Sequence, residues 1–292
     1  MEETEIVLEE KTWENKVEDI PKDNQIGGGL KMNGVKYEVV GENKNIGLIT
    51  LNRPQALNAM NTETVNELRD LLAEIDKDEQ IRCLILTGEG RAFCSGGDIN
   101  EESQTTVITG YKFSRNCAEV LDTMEHFRTP IIGAINGYAL GGGLEFALAC
   151  DIRIASRKAF LGSPEISLAV IPGWGGTQRL PRLIGVSKAK QMMFTGDKVS
   201  AEEAYRIGLV DELSEPEELL KDALAMAEKI AHWGPLAMKY LKIAVTDGME
   251  CDLQRGLQIE AALFAQLYGT EDQQEAMHAF LEKRSPKPFV GR

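Results

Sequence analysis

The stretch Ile131-Ile132-Gly133-Ala134-Ile135-Asn136-Gly137-Tyr138-Ala139-Leu140-Gly141-Gly142-Gly143-Leu144-Glu145 decides the fold. Ile131–Ile135 is a short apolar run closed by Asn136-Gly137, the pattern of a buried strand that ends in a turn. Three consecutive glycines then open the apolar segment Leu144–Ala149, which reads as a helix. Helix N-termini present unpaired N–H groups and a partial positive charge. A thioester or carboxylate oxygen could sit there. Close packing of a helix on a strand also calls for glycine. Three glycines followed by a glutamate in the first helical turn favour a binding role over packing alone.

Two further turns resemble it. Upstream, Gly88-Glu89-Gly90-Arg91-Ala92-Phe93-Cys94-Ser95-Gly96-Gly97-Asp98 follows the buried run Cys83–Leu86. It is therefore expected at the C-terminal edge of a strand, where α/β folds bind ligands. Gly96 and Gly97 lack a Cβ and let a ligand approach the main chain; a tight turn reads equally well. Downstream, Gly162-Ser163-Pro164-Glu165 is followed by Pro172-Gly173-Trp174-Gly175-Gly176. Glu145 and Glu165 each stand in apolar company, which raises a carboxyl pKa. Either one alone reads as a charge near a helix start. Two carboxylates beside free N–H groups point to proton transfer at a polarised carbonyl.

Working outward, Tyr37–Val40 and Ile46–Leu51 form a hairpin signal, and Asn61 caps an amphipathic helix to about Ile75. Tyr111–Phe127 reads as a helix with a Val120/Leu121/Met124 face, and Ile152–Ala155 as a strand. Strands alternating with helices indicate an α/β core. Beyond residue 185 the pattern turns helical, with helices expected at Pro216–Ala231, Pro235–Asp247, Leu253–Tyr268 and Asp272–Glu282. No internal repeat stands out.

The 292 residues carry a net charge of −14, which repels phosphate backbones and argues against nucleic acid as the main partner. Nine acids against three lysines crowd residues 1–23, and Gly27-Gly28-Gly29 reads as a joint, so residues 1–33 are expected to be an acidic appendage. Five cysteines, none in a C-x-x-C pair, suggest neither a disulfide framework nor a zinc knuckle. The apolar runs are too short to span a bilayer. Met-Glu-Glu-Thr-Glu has the wrong charge for a targeting signal, so a cytoplasmic bacterial or archaeal protein is expected. His126, His232 and His278 form neither a nucleophile triad nor an H-x-x-x-H pair. No phosphate-binding P-loop or full dinucleotide fingerprint occurs, and Cys94 reads as a packing residue.

Four runs carry a family resemblance: Leu51-Asn52-Arg53-Pro54-Gln55-Ala56-Leu57-Asn58-Ala59, Ala92–Ile99, Asn136–Asp151 and Gly162–Leu180. In this order they resemble the enoyl-CoA hydratase/isomerase (crotonase) family, over residues from about 35 to 292. The resemblance implies an α/β spiral of ββα turns over residues 34–232. A C-terminal helical lobe over 233–292 would build trimers, often paired into hexamers. It implies an oxyanion hole from the backbone N–H groups of Ser95 and Gly142. Glu145 and Glu165 match the two catalytic glutamates of hydratases, Glu145 activating water and protonated Glu165 serving Cα. Ala56, Leu57 and the run Ser95, Gly96, Gly97, Asp98 match positions lining the thioester and pantetheine. Phe264 and Lys283 match residues that touch coenzyme A near the trimer interface. Trp174, bulky beside the acyl region, is expected to shorten or flatten the acyl pocket.

The implied activity is reversible syn-hydration of a short-chain 2-enoyl-CoA within acyl-CoA degradation, with no metal or cofactor beyond the substrate's own coenzyme A. Relatives with other chemistry include Δ3-Δ2 enoyl-CoA isomerases and hydratases of cyclic or aromatic-derived acyl-CoA. They share the oxyanion hole, and the paired glutamates tilt the choice towards hydration. A catalytically silent RNA-binding relative is the non-enzyme alternative, opposed by the net charge and by the intact pair.

Overall fold

The computed structural model describes residues 32–292. The acidic appendage expected over residues 1–33 lies outside the described residues, apart from its last two. Six strands build the larger sheet in the order β1 (Val35–Val40), β2 (Ile46–Leu51), β3 (Cys83–Gly88), β5 (Ile131–Ile135), β7 (Ile152–Ser156) and β10 (Glu212–Ser214). β1 and β2 form the expected antiparallel hairpin, and every later pairing in this sheet is parallel. All six residues of β3 and all five of β5 are buried, because helices cover both faces.

On one face lie α1 (Thr62–Ile75) and α3 (Val107–Glu125). Asn61 caps α1, accepting from the Thr64 N–H, and Val65, Leu68, Leu71, Leu72 and Ile75 turn inward. Each such fully buried aliphatic side chain contributes about 1.5–3 kcal/mol. The other face is covered by α8 (Leu219–Ala231), whose stripe Ala223, Ala227 and Ala231 repeats every four residues and lets the helix lie close on Ile85, Ile132 and Ile154.

The strands alternate between two sheets. β3 leads to β4 (Ala92–Cys94), β5 to β6 (Tyr138–Leu140) and β7 to β8 (Phe160–Gly162); these short strands pair in parallel, and β9 (Lys198–Ser200) closes that sheet antiparallel to β8. Each long-then-short pair is one ββα turn of a spiral, followed by α2 (Ile99–Glu102) and α3, by α4 (Gly142–Leu148), or by a 3-10 turn (Glu165–Leu168). The register sets the glycine turns side by side, since Leu140 pairs with Gly162 and the Gly141 N–H donates to the Gly162 carbonyl at 2.9 Å. The C-terminal ends of the short strands are thus what position the site.

Two expectations shift. α3 starts at Val107, four residues before Tyr111, capped by a reciprocal Thr106/Thr109 box. Val107 and Ile108 are exposed, so its first turn carries no inward period to read. The helix expected from Pro216 begins at Leu219. Beyond it run α9 (Pro235–Met249), α10 (Leu253–Leu267) and α11 (Glu271–Leu281), within a residue or two of the expected helices. Lys242 fastens α9 to the core: its Nζ donates to Asp151 Oδ2 at 2.7 Å and to the Met124 and Thr129 carbonyls. Asp151 Oδ2 also accepts from the Ile131 N–H, so the buried Lys242 charge meets a carboxylate that is itself held in place.

Candidate active site

A cavity of about 410 Å³ opens where the three turns meet. Of the residues singled out above, Ala56, Ser95, Gly96, Gly97, Asp98, Gly142, Glu145, Glu165 and Trp174 border it. Leu57, Phe264 and Lys283 do not border it. Phe264 stands exposed on α10, edge-on to Tyr268, and Lys283 follows α11.

Glu145 lies in the first turn of α4 and is only 3% exposed. Its Oε1 accepts from the Trp174 N–H at 2.8 Å and the Gly176 N–H at 2.6 Å. Burial pushes this carboxyl from its ordinary 4.5 up to about 7, against the pull of those two N–H groups; the nearby Glu165 charge raises it further. Glu165 starts the 3-10 turn after β8. Its Oε2 accepts from Ser163 Oγ at 2.8 Å, while its buried Oε1 has no hydrogen-bond partner. Burial raises this carboxyl as well. The two acids titrate as a pair. Two backbone donors favour the ionised form at Glu145, whereas the unpartnered Oε1 of Glu165 favours holding a proton.

The loop that clamps Glu145 is itself held. Arg179 Nη1 donates to the Trp174 carbonyl at 3.1 Å, its Nε to Glu125 Oε2 at 2.8 Å and its Nη2 to Asp122 Oδ1 at 2.6 Å. The indole of Trp174 sits edge-on to Phe113 and Phe146 and covers Gly142, where a Cβ would fall 1.9 Å from Trp174 Cζ3. Glycine is required at 142 for that contact, and Trp174 lines the cavity.

The oxyanion donors need a correction. The Ser95 N–H donates to the Leu57 carbonyl at 3.0 Å and is not free. Two residues on, Met60 bridges the chain around Gly97: the Met60 N–H donates to the Gly96 carbonyl and the Asp98 N–H to the Met60 carbonyl. In such a parallel bridge the central residue directs its own N–H away from the partner. The Gly97 N–H therefore has no acceptor among the described residues, and Gly97 borders the cavity. The Gly142 N–H, the first of α4, is likewise open. Gly96, at φ 108°, brings the two turns together, since a Cβ there would lie 3.3 Å from the Gly142 nitrogen. The open pair is Gly97 and Gly142.

Asp98 borders the cavity, and its side chain is engaged. Its carboxylate accepts from Arg53 Nη2 at 2.8 Å and caps α2 through the Asn100 N–H. The Arg53 guanidinium holds it below the usual carboxylate range. Its side chain fixes the wall and is not free to bind. Sequence reading passed over Glu102, Ile171 and Arg179. The cap at Asp98 followed four residues later by Glu102 was the available signal, because that spacing turns the side chain back over the cap. Among the described residues, no group of three or more His, Cys, Asp or Glu is placed to hold a metal ion.

The arrangement pairs two open N–H groups with one buried and one half-buried carboxyl of unequal hydrogen bonding, which suits proton transfer beside a stabilised oxyanion. Comparison with known proteins places most of the chain. The enoyl-CoA hydratase/isomerase family model matches residues 41–290. A short-chain-enoyl-CoA hydratase of Clostridium acetobutylicum is 44% identical over 264 residues, 90% of this chain and all of that protein. A crotonyl-CoA hydratase of Syntrophomonas wolfei is 41% identical over 84% of this chain and 95% of its own. The crystal structure of an enoyl-CoA hydratase from Bacillus anthracis superposes with a TM-score of 0.85 at 39% identity, covering 89% of this chain and all of that one. With the family model, the relatives and the fold in agreement over most of its length, the chain belongs to the enoyl-CoA hydratase/isomerase family.

Proposed function

We propose that the protein adds water reversibly across the double bond of short-chain 2-enoyl-CoA thioesters, giving 3-hydroxyacyl-CoA. One observation carries this: Glu145 and Glu165 face one cavity with the open N–H groups of Gly97 and Gly142. The thioester oxygen accepts from both N–H groups, which polarises the enoyl system and stabilises the enolate-like state. Losing one such donor costs about 3 kcal/mol. Glu145, its Oε1 fixed by two N–H groups, takes a proton from water through its other oxygen as that water attacks Cβ. Glu165 delivers a proton to Cα from the same side. The dehydration of a 3-hydroxyacyl-CoA uses the same groups in reverse. Beyond the substrate's own coenzyme A, no cofactor enters this scheme.

The short-chain preference is supported by the bulky Trp174 ring in the cavity wall, and by relatives named for short-chain and crotonyl substrates. Assembly as a homotrimer, or a dimer of trimers, is supported by apolar side chains left exposed on α9 to α11, among them Leu241, Met249, Leu253, Phe264 and Phe280. In such an assembly Phe264 and Lys283 would reach coenzyme A held by a neighbouring copy. The free thiols of Cys83, Cys94, Cys117 and Cys150, all buried, support a reducing cytoplasm. No helix among the described residues is long and apolar enough to cross a membrane.

The test is to supply crotonyl-CoA and, separately, its 3-enoyl isomer. Conversion of crotonyl-CoA to 3-hydroxybutyryl-CoA supports hydration. Interconversion of the two enoyl isomers with no hydroxyacyl product assigns the site to isomerisation instead.

A further inference from the structure

Four acids border the cavity, and three of them accept at least one hydrogen bond, although Oε1 of Glu165 has none. Glu145 has the Trp174 and Gly176 N–H groups, Glu165 has Ser163, and Asp98 has Arg53 and Asn100. Glu102 is the fourth. No described residue donates to its carboxyl, and no lysine or arginine among them pairs with it; the nearby Arg53 is engaged by Asp98.

Its placement follows from the short helix α2. Asp98 caps that helix directly after Gly97, and one turn later Glu102 folds back over the glycine. A Cβ at Gly97 would lie 2.0 Å from Glu102 Oε1. The carboxyl therefore stands beside one of the two open N–H groups, on the cavity wall, half-buried. Burial raises its pKa, and the charges of Glu165, Asp98 and Glu101 raise it further. The remaining wall beyond the pair is largely apolar, with Leu168, Val170, Ile171 and Trp174. Half-buried and without a donor from the described residues, this carboxyl is left for solvent or a bound ligand to satisfy. The hydration mechanism gives Glu102 no task.

We propose that Glu102 is a specificity-determining residue of the acyl pocket, selecting 2-enoyl thioesters whose acyl group carries a hydroxyl over those ending in plain hydrocarbon, and rejecting those ending in a carboxylate. A hydroxyl can donate to Glu102 when it is ionised and accept from it when it is protonated. A terminal carboxylate meets four acids and no free cation among the cavity residues. This inference rests on the hydration reading and extends it to a substrate class.

The experiment measures kcat/KM for 2-pentenoyl-CoA, 5-hydroxy-2-pentenoyl-CoA and the five-carbon analogue ending in carboxylate, in wild type, Glu102→Gln and Glu102→Met. Wild type should prefer the hydroxylated substrate to the plain one by about 10-fold and turn over the acid poorly, as expected when a polar contact is made or missed. Glu102→Gln should keep the hydroxyl preference, because the amide both donates and accepts, and should relax rejection of the acid. Glu102→Met should invert the preference towards 2-pentenoyl-CoA. Unchanged ratios in Glu102→Met, with wild type active, overturn the role of Glu102 and leave hydration standing. Wild type that hydrates crotonyl-CoA but does not prefer the hydroxylated five-carbon substrate overturns this inference alone; wild type inactive on crotonyl-CoA as well as on all three overturns the hydration reading, and this one with it.

Discussion

Gly176 donates its N–H to Glu145 Oε1 at 2.6 Å, and a Cβ at position 176 would fall 2.9 Å from that same oxygen. The Glu145 carboxyl and the loop that holds it are thus built for each other at the level of single atoms. The Trp174 N–H gives the second bond, at 2.8 Å. These donors favour the charge that deep burial opposes, and burial dominates, lifting the carboxyl to about 7.

That balance has a stability consequence. A carboxyl whose folded pKa exceeds its unfolded 4.5 binds its proton more tightly in the folded protein. The stabilisation is fully present below 4.5 and is lost as pH rises through about 7. The displacement corresponds to a cost on the order of 3 kcal/mol for the ionised form. Glu145→Gln keeps an oxygen for both N–H groups and removes the charge. It should melt several degrees above wild type at pH 8, and the gap should narrow at pH 5.5. A gap independent of pH, measured by thermal melts across this range, contradicts the assignment.

Gly142 and Trp174 form a second matched pair. Gly142→Ala drives a methyl into the indole, so kcat/KM should fall by about 100-fold or more through displacement of the α4 N–H, since overpacking shifts backbone. Combining it with Trp174→Leu, which vacates that space, should recover at least about 10-fold relative to Gly142→Ala alone, because contacting sites are not additive. A double variant no better than the single one would mean that the added methyl strikes something other than the ring.

Arg179 is a positioning residue: it touches the loop and not the substrate. It spans two carboxylates of α3 and the Trp174 carbonyl with a planar fork that lysine cannot reproduce. Its charge also draws the Glu145 pKa down. Arg179→Met should lower kcat by roughly 10- to 100-fold with KM little changed, a transition-state loss. The acid limb of the kcat/KM profile should move to higher pH, because Glu145 then holds its proton longer. An unmoved limb would reduce Arg179 to a purely structural role.

Much of this was legible in the chain. Glu145, Gly142, Glu165 and Trp174 lie within continuous glycine-rich runs, where local chemistry and position agree. The long strands and α1 declare themselves by unbroken apolar runs or by helical spacing. The misreadings share a cause. Which N–H around Ser95 stays open is decided by Met60, and Met60 is brought there by the chain between them, so the choice of Gly97 is a non-local fact. Strands β4, β6 and β8 have three residues each, too few to show a period. Glu102 stands in Asn100-Glu101-Glu102-Ser103, which reads as solvated surface until the cap at Asp98 turns it inward.

The most direct measurement follows the loss of 2-enoyl thioester absorbance on crotonyl-CoA in wild type, Glu145→Gln and Glu165→Gln, with thioester binding measured alongside. The account predicts rapid hydration by wild type, a loss of roughly 100- to 10,000-fold in kcat for each variant, and binding within a few-fold of wild type. Near-wild-type turnover by either variant would contradict the paired-glutamate mechanism.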